Sequence, residues 1–381
     1  MTVEIKEVTT IRQLKTFIKF PLSLYRGSPY YVPALYTDEL NTLRWDRNPA
    51  FEDARARYWL AYRDGKVVGR IAGMIISKHQ QKWGQNLMRF GWIDFIDDAE
   101  VVRALMETVE QWAKEEGKEG VHGPLGFTDL DREGMLVEGF NEMTTLATIY
   151  NYPYYPKHLE ALGYGKDVDW LDHEFTVTNR SEEKIKKAAE LVAKRTGLRL
   201  FNGNKKELLK LAPQIFEVID EAYSKLYGTV PLSQKQVQVY INTYFGFVDL
   251  DYIPIVLDQN DRVVAFGITF PSFSRALQKC RGYLFPFGFI LMLRAIKKND
   301  RADFYLVGVR EEYRRTGISA LLANQILQTF LKRGIKLVES NLTLEDNLDI
   351  LAMWKYLDNR QHKRHRCYIK RFAVSAVHES N

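Results

Sequence analysis

The spacing of apolar positions changes from that of a strand to that of a helix within one stretch of the second half of the chain. The apolar, β-rich run Phe304–Val309 predicts a buried strand. A polar turn, Arg310–Thr316, follows it, and Gly317 comes next. From Ile318 onward apolar residues recur at three- and four-residue spacing, which predicts a helix. The stretch is therefore expected to form a strand, a basic turn and a helix in succession.

The turn of this stretch has the chemistry of a diphosphate site. The first N–H groups of a helix have no partner inside the helix, and the helix dipole favours negative charge near them. Gly317 has no Cβ to keep a ligand away from the backbone. Charge and hydroxyl groups are supplied nearby by Arg314, Arg315, Thr316 and Ser319. We therefore expect the turn to bind an anionic, phosphate-bearing ligand.

The same order of predicted elements occurs twice along the chain. The first half predicts two helices, a β-hairpin that turns at Asp64-Gly65, a strand, an amphipathic helix, a glycine-rich segment, a short helix and a closing strand at residues 168–177. The second half predicts the same order and ends in a strand at residues 365–372. A charged helix that starts at the candidate N-cap residue Ser181 separates the two halves.

These patterns predict an α/β fold with a mixed sheet of the α+β kind, built as two tandem domains. We place the first domain at residues 1–178 and the second at residues 198–372, joined by a helix at residues 179–197. The remaining residues, 373–381, are expected to form an unstructured tail. A chain of 381 residues is too long for one ordinary core and has a suitable length for two.

Charge and cysteine content narrow the class of protein. The net charge of +6 is compatible with an anionic cofactor, an anionic membrane surface or nucleic acid. Because the sequence has no zinc-finger, helix-turn-helix or RRM signature, nucleic acid is not expected as a partner. Cys280 and Cys367 are the only cysteines, too few for a disulfide framework or a zinc cluster, and no metal is expected.

Targeting signals are not evident, and the expected location is the cytoplasm. Residues 1–19 mix charged with apolar residues and do not resemble a signal peptide. The longest apolar run, residues 283–293, is about half as long as the roughly 20 residues that a membrane-spanning helix needs.

An insertion at residues 272–299 precedes the strand of the opening stretch. Its apolar residues are flanked by Lys279 and Arg281 on one side and by Lys297-Lys298 on the other. Because an apolar segment between cations suits an interfacial position, residues 283–298 are candidates for peripheral contact with the inner face of the membrane. A helix packed between the two domains would show the same pattern.

The motif Arg314-x-x-Gly317-x-Ser319, placed after a strand, resembles the coenzyme A loop of the GCN5-related N-acetyltransferase (GNAT) superfamily. That pattern is Gln/Arg-x-x-Gly-x-Gly/Ala, and Ser319 departs from it at the last position. The repeated order of elements also matches the GNAT order. The resemblance implies acyl-CoA as co-substrate, and its contacts are expected from Val307, Val309, Arg314, Arg315, Thr316, Gly317, Ile318, Ser319 and Asn347.

In the first half, the loop at the position equivalent to Arg310–Thr316 is acidic rather than basic. The strand at residues 90–96 is followed by Asp97-Asp98-Ala99-Glu100, which holds three acids and no glycine. A diphosphate placed there would meet like charge. We therefore predict that the first domain has a degenerate loop, does not bind coenzyme A, and forms the acceptor side of a cleft between the domains.

The segment from His122 to Pro156 is rich in glycine and acidic residues, as functional loops often are. It resembles the block Gly-Pro-Phe-Asn-Phe-Ser…Glu-x-Gly-Leu-Leu-Val-Asp-Gly-Phe-Asp…Tyr-Asn-Pro-Pro-Tyr-Tyr of a bacterial group of double-GNAT proteins, with Leu125-Gly126 in place of Phe-Asn. Some members of that group are bacterial ceramide synthases, which N-acylate a long-chain base. The resemblance implies a long-chain or other amphipathic amine as acceptor, and acyl-CoA or acyl carrier protein as donor. A structural loop with solvated acids would have the same composition.

Acyl transfer to an amine requires a base that takes a proton from the ammonium group. Glu133, Glu138 and His122 are the candidates, since the loop could desolvate a glutamate and raise its pKa. Glu133 comes first because the group's block has a glutamate at this position. For each of them, the alternative role is to hold N–H groups of the loop.

The leaving thiolate can also be protonated by an acid, which in many GNAT enzymes is a tyrosine on the helix after the fifth strand. Seven residues beyond Asn347 this chain has Trp354, which cannot donate a proton at neutral pH. Tyr356 lies two residues further and faces elsewhere on an ideal helix. Either the thiolate leaves without an acid, or Tyr150 or Tyr155 serves.

Two other functions remain open at the level of the sequence. Some aminoacyl-tRNA-dependent transferases also have a double-GNAT fold. A non-catalytic protein that binds acyl-CoA or a lipid is the second alternative, and Trp354 and Ser319 favour it because both depart from the enzyme pattern.

Overall fold

The computed structural model describes residues 2–180, 182–244, 249–354 and 357–373. The predictions that lie outside these ranges concern Ser181, Tyr356 and the tail beyond Ala373. No helix in the described part of the chain combines the length and the apolar composition that crossing a bilayer requires.

Strands and helices of the first half follow the predicted order. They are β1 (Glu4–Glu7), α1 (Ile11–Leu24), α2 (Tyr36–Leu43), β2 (Ala54–Arg63), β3 (Lys66–Ile76), α3 (Ser77–Trp83), β4 (Leu87–Phe95), α4 (Ala99–Glu115), β5 (Gly120–Gly123), β6 (Met135–Glu138), α5 (Tyr154–Ala161) and β7 (Gly165–Thr176).

The second half repeats this order after a connecting helix. Its elements are α6 (Glu182–Thr196), β8 (Arg199–Leu200), α7 (Lys205–Tyr223), α8 (Gln234–Tyr244), β9 (Ile255–Leu257), β10 (Val263–Pro271), α9 (Ser274–Cys280), α10 (Gly288–Lys297), β11 (Arg301–Val309), α11 (Ser319–Arg333), β12 (Leu337–Ser340), β13 (Thr343–Leu344), α12 (Leu348–Trp354) and β14 (Asn359–Arg371).

Strong local sequence signals account for several of these elements. The hairpin of β2 and β3 turns at Asp64 and Gly65, whose φ angles of +51° and +72° are those of a type I′ turn. In α4 the buried residues Val101, Leu105 and Val109 recur every four positions, so one face of the helix packs in the core. The hairpin and the amphipathic helix both lie where the sequence predicts them.

The chain folds into two compact units that are not continuous in sequence. The first unit comprises residues 1–144 and 148–170 together with the chain from residue 363 onward. The second comprises residues 145–147 and 171–362. These units differ from the contiguous domains expected at residues 1–178 and 198–372.

The sheet of the first unit is completed by the C-terminal strand of the chain. Its strands lie in the order β1-β2-β3-β4-β5-β14, and β6 also pairs with β14. The pair β4–β5 is parallel, whereas β14 runs antiparallel to β5 with Ile369 opposite His122. Residues from the end of the chain thus form part of the unit that the start of the chain builds.

The sheet of the second unit uses a strand from the first half. Its order is β7-β12-β11-β10-β9-β8, with β13 also paired to β7. The pair β11–β12 is parallel, and β7 runs antiparallel to β12 with Phe175 opposite Val338. Each half of the chain therefore supplies its closing strand to the sheet that the other half begins, which the alternation of apolar residues along a strand does not reveal.

A buried carboxylate fixes β14 in the first unit. Asp169 is 1% exposed. It accepts hydrogen bonds from Arg366 at 2.8 and 3.0 Å and from Arg364 at 3.1 Å, and Lys166 lies 3.4 Å away. Burial raises the pKa of Asp169, but the two arginines and Lys166 lower it by more, so the carboxyl is held below its usual pKa. The charged form of Asp169 therefore stabilises the fold.

Candidate active site

The loop between β11 and α11 is held to the second unit by a buried arginine. Arg310 is the first residue of the loop and is 5% exposed. Its guanidinium group pairs with Glu217 at 3.0 Å and with Glu221 at 2.9 Å, both on α7. Glu221 also accepts a hydrogen bond from the N–H of Glu311 at 2.8 Å. Arg310 thus holds the loop in place, and the two glutamates neutralise the charge of its guanidinium group.

The N-terminus of α11 is not capped by a side chain. The N-cap position is occupied by Ile318, which is buried and makes no side-chain hydrogen bond to the first turn. Gly317 before it has a φ of +84°, and a Cβ there would lie 3.1 Å from Cγ2 of Val192. A glycine is needed at this position for both reasons. In the first turn, the N–H groups of Ala320 and Leu321 donate to the carbonyls of Gly317 at 2.9 Å and Ile318 at 3.0 Å, and no side chain caps this helix end in competition with a ligand.

Three arginines add positive charge to this loop. Arg314 and Arg315 are exposed, as the sequence predicts for ligand-binding cations. Arg195 at the end of α6 donates to the carbonyl of Thr316 at 2.6 Å. The hydroxyl of Thr316 donates to the carbonyl of Tyr313 at 2.7 Å and so stabilises the turn. Sequence reasoning missed Arg195 because it lies on a different helix about 120 residues away.

Next to the loop, β11 separates from its parallel neighbour. The two strands pair only where Arg301–Phe304 lies beside Leu337–Ser340. Beyond that point the register with β10 also shifts, between Ile268 and Thr269. The part of β11 that contains Val307 and Val309 is thus not paired with β12.

A tyrosine hydroxyl lies against this open part of β11. Tyr223 of α7 accepts a hydrogen bond from the N–H of Val307 at 3.2 Å and donates to the carbonyl of the same residue at 3.0 Å. A pantetheine chain bound along β11 would use the same backbone groups, because they are the polar groups that β12 leaves unpaired. The sequence offered no signal for Tyr223, since its helical position resembles that of other half-buried tyrosines.

An apolar cleft opens where β11 and β12 diverge, within the second unit. Its cavity volume is about 10 Å³, which is room for about one water molecule. Its apolar wall includes Leu146, Phe270, Phe273, Phe304 and Tyr305, and its polar groups are Asp303, Ser340 and Asn341. An aromatic wall with a carboxylate and hydrogen-bonding side chains has the lining of a ligand site, but side chains would have to move apart before an apolar chain could enter. Asp303 is a candidate base that the sequence prediction did not include, although an acid at the start of an apolar strand was the available signal.

The residues predicted on and near α12 have structural contacts. Asn347 precedes this helix, and its N–H donates to the carbonyl of Leu344 at 3.0 Å. The ring of Trp354 lies 4.7 Å from that of His173 and 5.2 Å from that of Phe175, measured between ring centroids. Trp354 therefore packs against β7 in the place where many GNAT enzymes have a tyrosine.

The corresponding helix of the first unit is capped by the protein itself. Asp98 is the N-cap residue of α4, and its carboxylate accepts from the N–H groups of Glu100 at 3.0 Å and Val101 at 3.3 Å. The same carboxylate forms an ion pair with Arg63. A diphosphate has no access to these N–H groups unless Asp98 leaves them.

The gap beside β4 is also filled in the first unit. Strand β4 pairs with β5 only over Leu87–Arg89. The chain after β5 then follows β4, and the N–H of Leu125 donates to the carbonyl of Phe90 at 2.9 Å. The approach is so close that a Cβ on Gly91 would lie 2.3 Å from the Leu125 carbonyl oxygen. Backbone thus occupies the position that stays open beside β11 in the second unit.

Glu133, the first of the predicted bases, belongs to a group of acids. Burial raises the pKa of Glu133 well above its usual value; the negative charges of Asp129 and Asp131 act in the same direction, and Arg89 opposes them. Burial also raises the pKa of Asp131 to about 6. Its carboxylate accepts from the N–H of Thr128 at 3.0 Å. Two neighbouring carboxyl groups here therefore both have a pKa raised above the usual value.

The other predicted catalytic residues have different surroundings. His122 is fully buried, and burial together with Arg89 lowers its pKa, although the carboxylate of Asp167 lies 3.8 Å away and acts in the opposite direction. Glu138 is exposed and pairs with Arg364 at 3.1 Å.

Tyr150 lies among other tyrosine rings of the first unit. Its hydroxyl donates to the carbonyl of Phe140 at 3.3 Å, and burial raises its pKa. The rings of Tyr25 and Tyr152 lie 5.5 and 5.9 Å from its ring. A buried phenol with a raised pKa remains protonated at neutral pH and can act only as an acid.

One group of side chains has the composition of a metal site. Among the described residues, His122, Asp167 and Cys367 bring one potential ligand atom each to within 4.8 Å of one another. Such a set suits Zn²⁺ in ligand type. However, the positive charge of Arg89 acts on His122 and would oppose a cation there.

Comparisons with known proteins agree with the two-unit architecture. A sequence profile of the Acetyltransferase (GNAT) family matches residues 213–358. Protein YghO of Escherichia coli (strain K12) is 30% identical over 365 residues, which cover 94% of this chain and 92% of that protein. Bacterial ceramide synthase of Caulobacter vibrioides (strain NA1000 / CB15N) is 24% identical over 375 residues, which cover 95% of this chain and 96% of that one.

A solved structure extends the likeness to both halves. A tandem GNAT protein from the clavulanic acid biosynthesis pathway superimposes with a TM-score of 0.56 at 14% identity, covering 98% of this chain and 99% of the other. The predicted fold of two tandem GNAT domains is thereby confirmed.

Proposed function

Because this chain belongs to the acetyltransferase (GNAT) family, we propose that it is an acyl-CoA-dependent N-acyltransferase whose donor binds to the second unit. One observation carries the proposal. The N-terminus of α11 has no side-chain cap and lies beside exposed arginines and an open strand, whereas the N-terminus of α4 is closed by Asp98. The diphosphate of coenzyme A fits the first of these ends and not the second.

The open edge of β11 and the adjacent cleft would hold the rest of the donor. Pantetheine would run along Val307 and Val309 and would displace the hydroxyl of Tyr223 from Val307. The acyl chain would enter at the cleft lined by Phe270 and Phe304 once side chains there move apart, because the cleft as it stands has room for about one water molecule. Burial of an apolar chain against aromatic rings is favourable by roughly 25 cal/mol per Å² of apolar surface removed from water.

The reaction requires few groups from the protein. The amine nitrogen attacks the carbonyl carbon of the thioester, a C–N bond forms, and the C–S bond breaks with its electron pair on sulfur. A carboxylate takes the proton that the amine loses. We assign this role to Glu133, on the support of its raised pKa, with Asp303 as the second candidate because it lines the cleft.

A long-chain or other amphipathic amine is the acceptor that we propose. The aromatic cleft and the likeness to a protein named bacterial ceramide synthase support this choice. The donor can be acyl-CoA or the same acyl group on an acyl carrier protein, since both present a phosphopantetheine thioester.

The test combines a binding and a turnover measurement. Calorimetry with coenzyme A should give one site per chain. Palmitoyl-CoA with a panel of sphinganine-like amines should release a thiol and yield an amide that mass spectrometry detects, and palmitoyl–acyl carrier protein is run in parallel. Absence of coenzyme A binding would refute the proposal.

A non-catalytic acyl-CoA-binding protein is the second candidate. Packing of Trp354 against His173 and Phe175 favours it, because the usual acid is missing from that helix. Tight binding of coenzyme A without thiol release across the panel of amines would support this candidate over the enzyme.

A negative charge introduced at the start of α11 should weaken coenzyme A binding without lowering the stability of the fold. Ser319→Asp places a carboxylate beside the proposed diphosphate, and a like charge at a few ångströms costs on the order of 1–3 kcal/mol. We expect coenzyme A to bind about ten- to a hundredfold more weakly. The same charge favours the helix dipole, so the melting temperature should stay equal or rise.

Ser319→Asn is the matched control for this variant. It has nearly the same shape without the charge, and its affinity for coenzyme A should remain within a few-fold of the wild type in calorimetry. Equal affinities of the Asp and Asn variants would show that the diphosphate binds elsewhere.

A further inference from the structure

The segment after β10 exposes an unusual concentration of apolar side chains. Phe285 is 79% exposed and Phe287 is 72% exposed. On α10, Phe289, Ile290 and Leu293 are also exposed. A cluster of five large exposed apolar residues within nine positions is what interaction surfaces show, whereas single exposed apolar residues are common.

These residues lie on one side of a short helix. Phe289 and Leu293 are four positions apart and share a helix face, and Ile290 adjoins them. Within α10 only Gly288 is buried. The opposite side of α10 contacts α9 and β10. The apolar face is therefore directed away from the unit that carries it.

Cations accompany this apolar face. Residues 274–298 contain Arg275, Lys279, Arg281, Arg294, Lys297 and Lys298 and no acidic residue. Arg294, Lys297 and Lys298 are exposed at the C-terminal end of α10, whereas the phenylalanines lie at its N-terminal end. The segment thus has an apolar tip and a cationic base.

We propose that residues 283–298 insert into the surface of an anionic lipid bilayer. Interfacial helices bury their apolar face about 5–10 Å into the boundary between headgroups and acyl chains. From Phe287 to Lys297 the helix rises about 15 Å, at 1.5 Å per residue. Because this rise exceeds that depth, α10 would lie tilted in the interface, with Phe285 and Phe287 below the phosphates and Arg294, Lys297 and Lys298 close to them.

Charge argues against a second copy of the chain as the partner. In a twofold symmetric contact the same patch meets itself. Such a contact would bring together two copies of a segment that holds six cations and no acid, of which Arg275 has a nearby acid, Asp300 at 3.8 Å. An anionic bilayer, by contrast, attracts each of these side chains.

The surface adjoins the cleft of the proposed enzyme along the chain. Phe273, which lines the cleft, is the N-cap residue of α9, and α9 packs on α10. A lipid-bound position would bring the second unit to the place where long-chain amines and acyl chains concentrate. The membrane contact itself does not depend on acyl transfer.

Vesicle co-sedimentation of the full-length protein tests the proposal. We expect binding to vesicles of phosphatidylcholine with 30% phosphatidylglycerol at about 0.1 M salt and much weaker binding to pure phosphatidylcholine. Phe285→Ser combined with Phe287→Ser should lower the partition coefficient at least about tenfold. Lys297→Glu combined with Lys298→Glu should lower it on the anionic vesicles alone.

Leu191→Ser is the matched control, because Leu191 is exposed to a similar degree (65%) but lies on α6. It should bind vesicles like the wild type. Absence of vesicle binding by the wild type, or unchanged binding by the double serine variant, would overturn the proposal. Sedimentation velocity tests whether a second copy of the chain binds this surface instead. A wild-type dimer that the double serine variant fails to form would assign the surface to that second copy.

A spectroscopic variant reports the depth of insertion. The tryptophan fluorescence of Phe287→Trp should shift to the blue on anionic vesicles. Lipids whose acyl chains are brominated near the headgroup should quench this fluorescence more than they quench that of the wild-type protein. Lack of quenching would mean that the tip stays in water, which contradicts insertion. All these measurements use no substrate, so their outcome is independent of the assays for acyl transfer.

Discussion

Glu133→Gln is expected to lower kcat for acyl transfer by about 10²–10⁴-fold, the usual contribution of a general base. The substitution keeps the shape of the side chain and removes its ability to take a proton. Affinity for coenzyme A should not change, since the donor is proposed to bind to the second unit. Rates are measured by thiol release with palmitoyl-CoA and a long-chain amine.

The pH dependence gives this prediction a second readout. A base is active when it is deprotonated, so the rate falls as pH drops through its pKa. Burial and the charges of Asp129 and Asp131 raise the pKa of Glu133. The acid limb of the wild-type profile should therefore lie well above the pH of about 4.3 at which an ordinary glutamate titrates. In Glu133→Gln this limb should disappear.

Asp303→Asn is the matched variant, because it is the same change from carboxylate to amide in the cleft of the second unit. We expect it to retain the acid limb and to reduce the rate less. If the large loss follows Asp303→Asn while Glu133→Gln keeps its rate and profile, the base is Asp303 and Glu133 has a structural role.

Asp169→Ala is expected to destabilise the protein by about 1.5–3 kcal/mol, because Arg364 and Arg366 lose hydrogen bonds to a buried carboxylate but keep Glu138 at 3.1 Å and Glu160 at 4.0 Å. Arg364 and Arg366 would lose a carboxylate that is 1% exposed. Urea denaturation at neutral pH measures the change in the free energy of unfolding. Glu183→Ala removes an exposed pair with Lys187 and should cost less than about 0.5 kcal/mol.

The effect of Asp169→Ala should depend on pH. The pKa of Asp169 is lower in the folded state than its usual value, so its contribution is complete above the unfolded pKa of about 3.9 and is lost as pH falls through the folded pKa. Wild type and variant should therefore converge in stability only in strong acid. A difference of less than about 1 kcal/mol at neutral pH would show that β14 does not depend on this carboxylate.

The elements that follow from local chemistry were predictable from the sequence. Periodicity revealed α4 and α11, and the Asp64-Gly65 pair revealed its hairpin. From the contrast between Gly317 and the acids at residues 97–100 we predict that only the second loop binds coenzyme A, and this stays a prediction. The sequence suggested repulsion by these acids; the structure adds that Asp98 also occupies the N–H groups of α4.

Features that depend on long-range pairing were not predictable in this way. The strand patterns of β7 and β14 indicate strands but not their neighbours, so the exchange between units was missed. Tyr223 and Arg195 contact the donor loop and strand from other helices. Residues 145–147 belong to the second unit although they follow the glycine-rich segment of the first half. No local pattern encodes such contacts.

The exchange of closing strands has a consequence for biosynthesis. Strand β5 emerges from the ribosome about 250 residues before β14, its neighbour in the sheet. At 5–20 residues per second this interval lasts roughly 10–50 seconds. Throughout it, one edge of β5 lacks its final partner and can pair with other chains. The unit that begins to form first is thus completed last, because β14 follows every other strand in the sequence.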